Sequence, residues 1–446
     1  MKVNRIILSS AVALLALCGR PLPSSAADPL ASIIERDFSG RADTLTTAFI
    51  NQFMSPYGFF WAIPSSHPDH ESQSDYLYWQ QAHAMDVVIY SYERIRDTDA
   101  TKANRYRSFM RGWYNSHAHN WYHDDSDPTG FLNEFTDDMC WISLTMLHMS
   151  EALQADQYAD MARTLFDNYI EPRGWRDENG FWGLPWKSND MGRNACTNSP
   201  GCLLACKLYE RYGEQKYLDT AIEIYRYMED QIVNHLGNTG KVEDPALTYT
   251  QGTFAEACRR LYHVTGDANK LSMAQKVTLF LATSSACNHN GLLRHEGTSL
   301  DQSIFKAVSI PYLVNMALDT DVDENYRRTF VRCMQRNANA LWSNLNLSAY
   351  PATFCNYYWG EPFDETQVPS LGAMASGASL MEGMARLGLQ LTAEDPTTVT
   401  SVRSNETISP SAVFTLDGRL VRQGAGAARS LPRGLYVVSH RKIAIR

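Results

Sequence analysis

Two places in this chain set two carboxylates side by side, and they differ in their downstream neighbours. Asp124-Asp125 sits in His123-Asp124-Asp125-Ser126-Asp127-Pro128-Thr129-Gly130, a polar, turn-rich stretch that reads as a solvated loop or a structural cation site. Asp137-Asp138 comes directly after Phe135-Thr136 and opens a run, Met139 to Met149, that is apolar nearly all round. That run reads as a buried helix, and acidic side chains in its first turn suit the free N–H groups and the dipole there. Capping by itself would account for such a pair. Chemistry is the other reading. Two carboxylates held together out of water cannot both ionise easily, so one takes a raised pKa while its neighbour keeps the charge. An acid beside an anion is what cleavage of a glycosidic bond needs, and adjacent side chains suit the roughly 5–5.5 Å spacing of a double displacement. Flat apolar faces on which sugar rings can stack are at hand, because all ten tryptophans lie between Trp61 and Trp359.

The elements that would position this pair are read from a recurring unit: an acidic or glycine turn, often an aromatic, then an amphipathic helix. It appears at Arg96-Asp97-Thr98-Asp99, Gln154-Ala155-Asp156, Gly213-Glu214-Gln215, Gly266-Asp267-Ala268 and Asp319-Thr320-Asp321. Spacings of roughly fifty to sixty residues suit one helix pair per repeat. After one turn, Tyr217, Leu218, Ala221, Ile224, Tyr225, Met228 and Ile232 form a single stripe, which predicts an outer, half-exposed helix. Further inner helices are predicted after Tyr76, Ala195, Tyr249, Asp301 and about Ser370, making roughly six inner and six outer helices. Such pairs close into a toroid or stay open as a solenoid. In either case the inner helices run parallel and their N-termini gather at one rim. The residues at those starts are unusually aromatic and polar: Trp79, Asp137, Asp138, Asn194, Tyr249, Gln251, Asp301 and Trp359.

Charge narrows the partners. The segment from Asp28 to Thr392 carries a net −16, which argues against nucleic acid and favours a neutral ligand. Lys2 and Arg5, the apolar run Ile6 to Cys18 and the small residues Ser25-Ala26-Ala27 have the order of a secretory signal over 1–27. A secreted, periplasmic or cell-surface protein is therefore expected, with no transmembrane span and a monomeric state. Eight cysteines remain beyond that segment; none fits a zinc motif, and a local Cys196–Cys202 or Cys196–Cys206 disulfide is open to the chain. No nucleotide loop, Ser–His–Asp elbow or metal site is apparent, so neither metal nor cofactor is expected.

After Thr392 the character changes. Residues 393–446 hold eight Arg and Lys against four Asp and Glu, with short strands expected at Val413 to Leu416 and Leu435 to Val438 about an Asp417-Gly418 turn. Phe414-Thr415-Leu416-Asp417-Gly418-Arg419 and Gly434-Leu435-Tyr436-Val437-Val438 resemble the C-terminal sorting or attachment tails of secreted Bacteroidetes proteins.

Across the body, 28–392, the chain resembles glycoside hydrolase family 76. The likeness is carried by Asp137-Asp138-Met139-Cys140-Trp141 with Trp79-Gln80-Gln81-Ala82-His83 before it, and by Gly183-Leu184-Pro185-Trp186-Lys187. It continues through Asn194-Ala195-Cys196-Thr197-Asn198, Thr248-Tyr249-Thr250-Gln251-Gly252 and Asp301-Gln302 with Phe305-Lys306, in order and at sensible spacing. The resemblance implies an all-α fold, an (α/α)6 barrel, here followed by the short C-terminal β tail. It also implies a retaining endo-α-1,6-mannanase acting on α-mannan, with Asp137 as nucleophile and Asp138 as general acid/base. Asn194, Asn198, Tyr249, Gln251 and Asp301 would line the cleft, with Trp79 and Trp359 stacking sugars. Two departures touch subsite preference: Thr250 stands where the family usually has Asn, and Gly180-Phe181-Trp182-Gly183 is less glycine-rich than usual. Transglycosylation on the same intermediate, and a non-catalytic glycan-binding protein, are the competing readings.

Overall fold

Apolar residues returning at helical spacing build twelve α-helices in the residues that the computed structural model describes: 29–71, 77–120 and 127–392, plus five tail strands between 399 and 445. For residues 117–120 and for the tail strands only the backbone is described. Residues 1–28, which include the expected secretory signal, lie outside the described residues, as do the Asp124-Asp125 pair and the Asp417-Gly418 turn.

Six helices are buried nearly all round: α2 (Trp79–Ile95), α4 (Thr136–Leu153), α6 (Ala195–Tyr212), α8 (Thr248–Thr265), α10 (Phe305–Leu318) and α12 (Leu371–Thr392). Each packs on the next, and α12 packs back on α2, so the ring closes into a barrel and the open-solenoid alternative falls away. The other six are α1 (Ser39–Phe53), α3 (Ala100–Asn120), α5 (Asp156–Leu165), α7 (Gln215–Tyr227), α9 (Ala268–Thr283) and α11 (Glu324–Ser343). They alternate with the inner six along the chain. On α7 the stripe Tyr217, Leu218, Ala221, Ile224 and Tyr225 is buried, as an outer helix requires. The turn-like units of the sequence are helix ends: α4 and α6 stop on residues in the left-handed conformation, Gln154 and Gly213, where glycine costs least. Where α8 meets α10, a Cβ on Gly252 would stand 2.8 Å from that of Ser309, so only glycine admits this crossing.

Two small hairpins interrupt the helices: β1 (Trp175–Arg176) with β2 (Trp182–Gly183), and β3 (Asn288–His289) with β4 (Leu292–Leu293). Farther along the inner helices a second population of charges faces one another. His148 lies 2.9 Å from Asp86 and 3.4 Å from Glu93. Burial alone would lower its pKa, but those two carboxylates outweigh it and raise it to about 9. His83 likewise faces Asp86, at 3.5 Å. His148 is thus a satisfied helix residue, with both ring nitrogens partnered, whereas Nε2 of His83 is buried without a hydrogen-bond partner.

The tail is a separate unit, residues 393–446 falling outside the unit of Leu30–Thr392. Its strands β5 (Val399–Val402), β6 (Ala412–Thr415), β7 (Leu420–Gln423), β8 (Gly434–Val438) and β9 (Arg441–Ile445) form one sheet in the order β5-β9-β8-β6-β7. Only β5 and β9 run parallel. The two strands expected from sequence correspond to β6 and β8.

Candidate active site

The starts of five inner helices meet in a cleft of about 660 Å³. Its walls include Trp79 and Gln80 from α2, Asp137, Asp138 and Trp141 from α4, Asn194 and Cys196 from the start of α6, Tyr249 from α8, and Asp301 and Phe305 from the start of α10. The loop before α4 is held from below. Arg173 donates to the carbonyls of Glu134 (2.8 Å) and Asn133 (3.0 Å) and to the Thr136 hydroxyl (3.2 Å). On its other side the Thr136 amide donates to the Trp186 carbonyl (2.8 Å) and the Ser188 amide to the Glu134 carbonyl (2.9 Å). The acidic pair therefore rises from a backbone with little freedom to move.

Asp137 is almost wholly buried, with Oδ1 lacking a hydrogen-bond partner and Oδ2 3.3 Å from the Cys196 thiol. Burial pushes its pKa up to about 7, against the pull of the Cys196 thiol, the nearby first-turn amides and the Trp186 indole. Asp138, half-buried on the cleft wall, accepts from the Asn133 side-chain amide at 3.2 Å. Its pKa is also raised, first by burial and then by the negative charges of Asp137 and Asp301. The two therefore titrate as a pair.

An aromatic floor lies beside the pair. The rings of Tyr249 and Phe305 stack at 4.2 Å, and Trp79 stands 6.1 Å from Phe305 and 6.3 Å from Trp141. Asp301 fixes Trp79 by accepting from its indole N–H (2.9 Å) and from the Gln80 amide (2.6 Å). Trp186 is 36% exposed at the rim, packed on Phe135 at 5.2 Å with the Lys187 ammonium 5.5 Å from its ring.

Of the residues singled out from sequence, Trp79, Asp137, Asp138, Asn194, Tyr249 and Asp301 come together here. Three do not. Asn198 is fully buried and spends its side chain on the Leu184 amide and carbonyl (2.8 and 3.0 Å), pinning the loop to α6. Gln251 is fully buried and ties down the backbone of Gly240 and Val242. Trp359 is 1% exposed and covered by the Lys306 ammonium at 4.4 Å, so no sugar can stack on it. That ammonium, whose pKa burial lowers to about 8, donates to the Tyr357 carbonyl and acts as an internal brace. Neither of the disulfides left open by the sequence is formed: Cys196 is free, while Cys202 and Cys206 point to the Ala221 and Ala257 carbonyls on other helices. Sequence reasoning missed Trp186, Phe305, Gln80, Asn133 and Cys196 as cleft residues. Trp186 and Phe305 lay inside recognised motifs; Asn133, five residues before Asp138, had no signal. Among the described residues, His263, Asp319 and Asp321 lie close enough to hold a cation, but far along the helices from the cleft, with Asp319 already bonded to Arg259.

A model of glycosyl hydrolase family 76 matches residues 40–395. The chain belongs to that family. Family 76 membership supports a glycoside hydrolase, and the fold agrees with solved structures. The GH76A alpha-1,6-mannanase from Salegentibacter sp. HEL1_6 is 26% identical, with a TM-score of 0.67 over 79% of this chain and 100% of that one. An inactive variant of that mannanase, with two neighbouring aspartates replaced by asparagine, is known in complex with alpha-1,6-mannotriose at the same identity, coverage and TM-score. A family 76 mannosidase from Bacteroides thetaiotaomicron, 16% identical over 79% of this chain and 98% of that one, shares the fold at a TM-score of 0.60. No curated protein matches the sequence. The helical barrel of this family 76 chain thus carries the acidic pair Asp137-Asp138 on the wall of its aromatic cleft.

Proposed function

We propose that this family 76 protein is a secreted endo-α-1,6-mannanase that retains anomeric configuration. The observation that carries the reading is the pair Asp137 and Asp138, adjacent, withdrawn from water and both raised in pKa, at the edge of an aromatic cleft. The Asp137 carboxylate attacks the anomeric carbon while Asp138 gives its proton to the departing glycosidic oxygen. The C–O bond to the leaving chain breaks as the glycosyl ester forms. Asp138, now an anion, takes a proton from water, whose oxygen displaces Asp137 and releases a new reducing end. Trp79 and Trp186 supply faces for the sugar rings, and Asn194, Tyr249 and Asp301 supply polar contacts. The likeness to a mannanase whose inactive variant was captured with alpha-1,6-mannotriose supports an α-1,6-linked mannan as substrate. Export rests on the amino-terminal pattern of residues 1–27; among the described residues no helix is long and apolar enough to cross a membrane.

Incubation with linear α-1,6-mannan tests the proposal. Short oligosaccharides whose new ends first appear as the α-anomer are expected. First products as the β-anomer would refute retention, and binding without cleavage would reassign the protein as a glycan receptor. If polymer length is redistributed without net new reducing ends, transglycosylation replaces hydrolysis.

The pair also dictates the pH profile. Asp137 must be ionised, so kcat/KM rises with pH through its pKa near 7; Asp138 must be protonated, so the rate falls again at higher pH. Asp301→Asn removes a negative charge that raises the Asp138 pKa while keeping an oxygen for Trp79 and Gln80. The alkaline limb is expected to move down by about half to one pH unit, with the acid limb nearly still. An unmoved alkaline limb in that variant would detach it from Asp138.

A further inference from the structure

Cys196 is the strongest side-chain partner of Asp137 and yet carries none of the chemistry assigned above. Its sulfur lies 3.3 Å from Asp137 Oδ2 and 3.1 Å from Asn194 Oδ1, and its one proton can serve only one of them at a time. Asn194 Oδ1 is already engaged, accepting from the Thr197 amide at 3.0 Å as the cap of α6. Asp137 has the greater need, because its other oxygen, Oδ1, is buried without a partner. An ionised oxygen is also the stronger acceptor. The thiol is not paired with another cysteine, it is partly exposed on the cleft wall, and it stands on the rigid first turn of α6.

We propose that Cys196 is a positioning residue for the nucleophile: its S–H donates to Asp137 Oδ2, fixing the rotation of the carboxylate and favouring its ionised form. The inference rests on Asp137 being the nucleophile of a glycosidase. It adds that α6 takes part in presenting a carboxylate that belongs to α4. Through the thiol, the separation of two neighbouring inner helices sets the aim of the attacking oxygen.

Cys196→Ala and Cys196→Ser, with the wild-type protein, provide the test on linear α-1,6-mannan. In Cys196→Ala, kcat is expected to fall by about tenfold or more with KM nearly unchanged, because a freed carboxylate loses its attack geometry. The acid limb of kcat/KM should move to higher pH, since a hydrogen bond that favours the anion has been removed. Cys196→Ser keeps an O–H donor at that position and is expected to recover most of the rate and the wild-type acid limb. A Cys196→Ala variant with unchanged kcat and acid limb, or a Ser variant as impaired as the Ala variant, would overturn the proposal. A readout independent of turnover is the S–H stretch in infrared difference spectra of wild type against Cys196→Ala. It should shift to lower frequency as pH rises through the ionisation of Asp137, and should lose that pH response in Asp137→Asn. An S–H band indifferent to pH in wild type would place the proton on Asn194 and overturn the proposal, even if the protein cleaves mannan. Lack of mannan cleavage by wild type with the pH-sensitive band intact would instead reject the substrate and leave the thiol–carboxylate contact standing.

Discussion

Asp137→Asn is expected to lower kcat on α-1,6-mannan by on the order of 10⁴-fold or more, with the fold and oligosaccharide binding retained. The side chain keeps its volume, so the buried site on α4 stays filled, and what is lost is the negative oxygen that must bond to the anomeric carbon. Asp138→Asn should show a comparable loss on mannan for a different reason, since the leaving sugar hydroxyl then departs unprotonated. An activated aryl glycoside of an α-1,6-mannooligosaccharide separates the two roles. Its leaving group needs no proton, so the Asp138 variant should still form the glycosyl ester and release one equivalent of phenol in a burst. The Asp137 variant should give no burst. Azide, which needs no general base to attack, should restore turnover to the Asp138 variant as a glycosyl azide. A burst from the Asp137 variant would move the nucleophile elsewhere. If the Asp138 variant stays inert on the activated substrate, Asp138 serves geometry rather than proton transfer.

The largest stability effect is expected far from this chemistry, at Glu256. This carboxylate is 1% exposed and accepts from Arg259 (2.8 Å), Arg260 (2.8 Å) and Asn315 (3.1 Å), tying α8 to α10. Burial alone would raise its pKa, but the charges and hydrogen bonds of the two arginines outweigh that and hold it at about 2. Glu256→Ala leaves two guanidinium groups desolvated with their main counter-charge gone, a change of about 3–5 kcal/mol. For a unit of this size that corresponds to a drop in Tm on the order of 5 °C. Glu210→Ala is the control: it removes a more exposed carboxylate from the same Arg260 and should cost less than about 1 kcal/mol. The pH dependence has a defined sign. A carboxylate with a lowered folded pKa stabilises above its unfolded value, here 4.5, and loses that contribution as pH falls toward 2. Unfolding monitored from pH 6 to pH 3 should show a steeper loss of stability in wild type than in the Ala variant. Equal slopes, or a cost below about 1 kcal/mol, would mean that the cluster is open to water.

How much of this was legible in the chain differs by level. Periodicity distinguishes α4, apolar all round, from α7, apolar on one stripe, because burial on every side and burial on one side write different patterns. Count, order and alternation of the helices come from the same patterns, and so does the gathering of inner-helix starts at one mouth. The sequence alone also determined that Asp137 and Asp138 open a buried helix, since neighbours in the chain are neighbours in space. Tertiary structure alone decided which other rim residues reach the cleft. Asn194, the cap of α6, and Asn198, in its first turn, stand four residues apart; the first lines the cleft, while the second is consumed by the Leu184 backbone. Trp359 is aromatic and at the rim in sequence, but its neighbour in space is the Lys306 ammonium, fifty-three residues away along the chain. Closure of the ring by α12 on α2, and the meeting of Cys196 with Asp137 across two helices, are likewise contacts between distant segments. Local pattern records how each residue faces the core; which partner it finds there is fixed only when non-local packing leaves each buried polar group one place to bond.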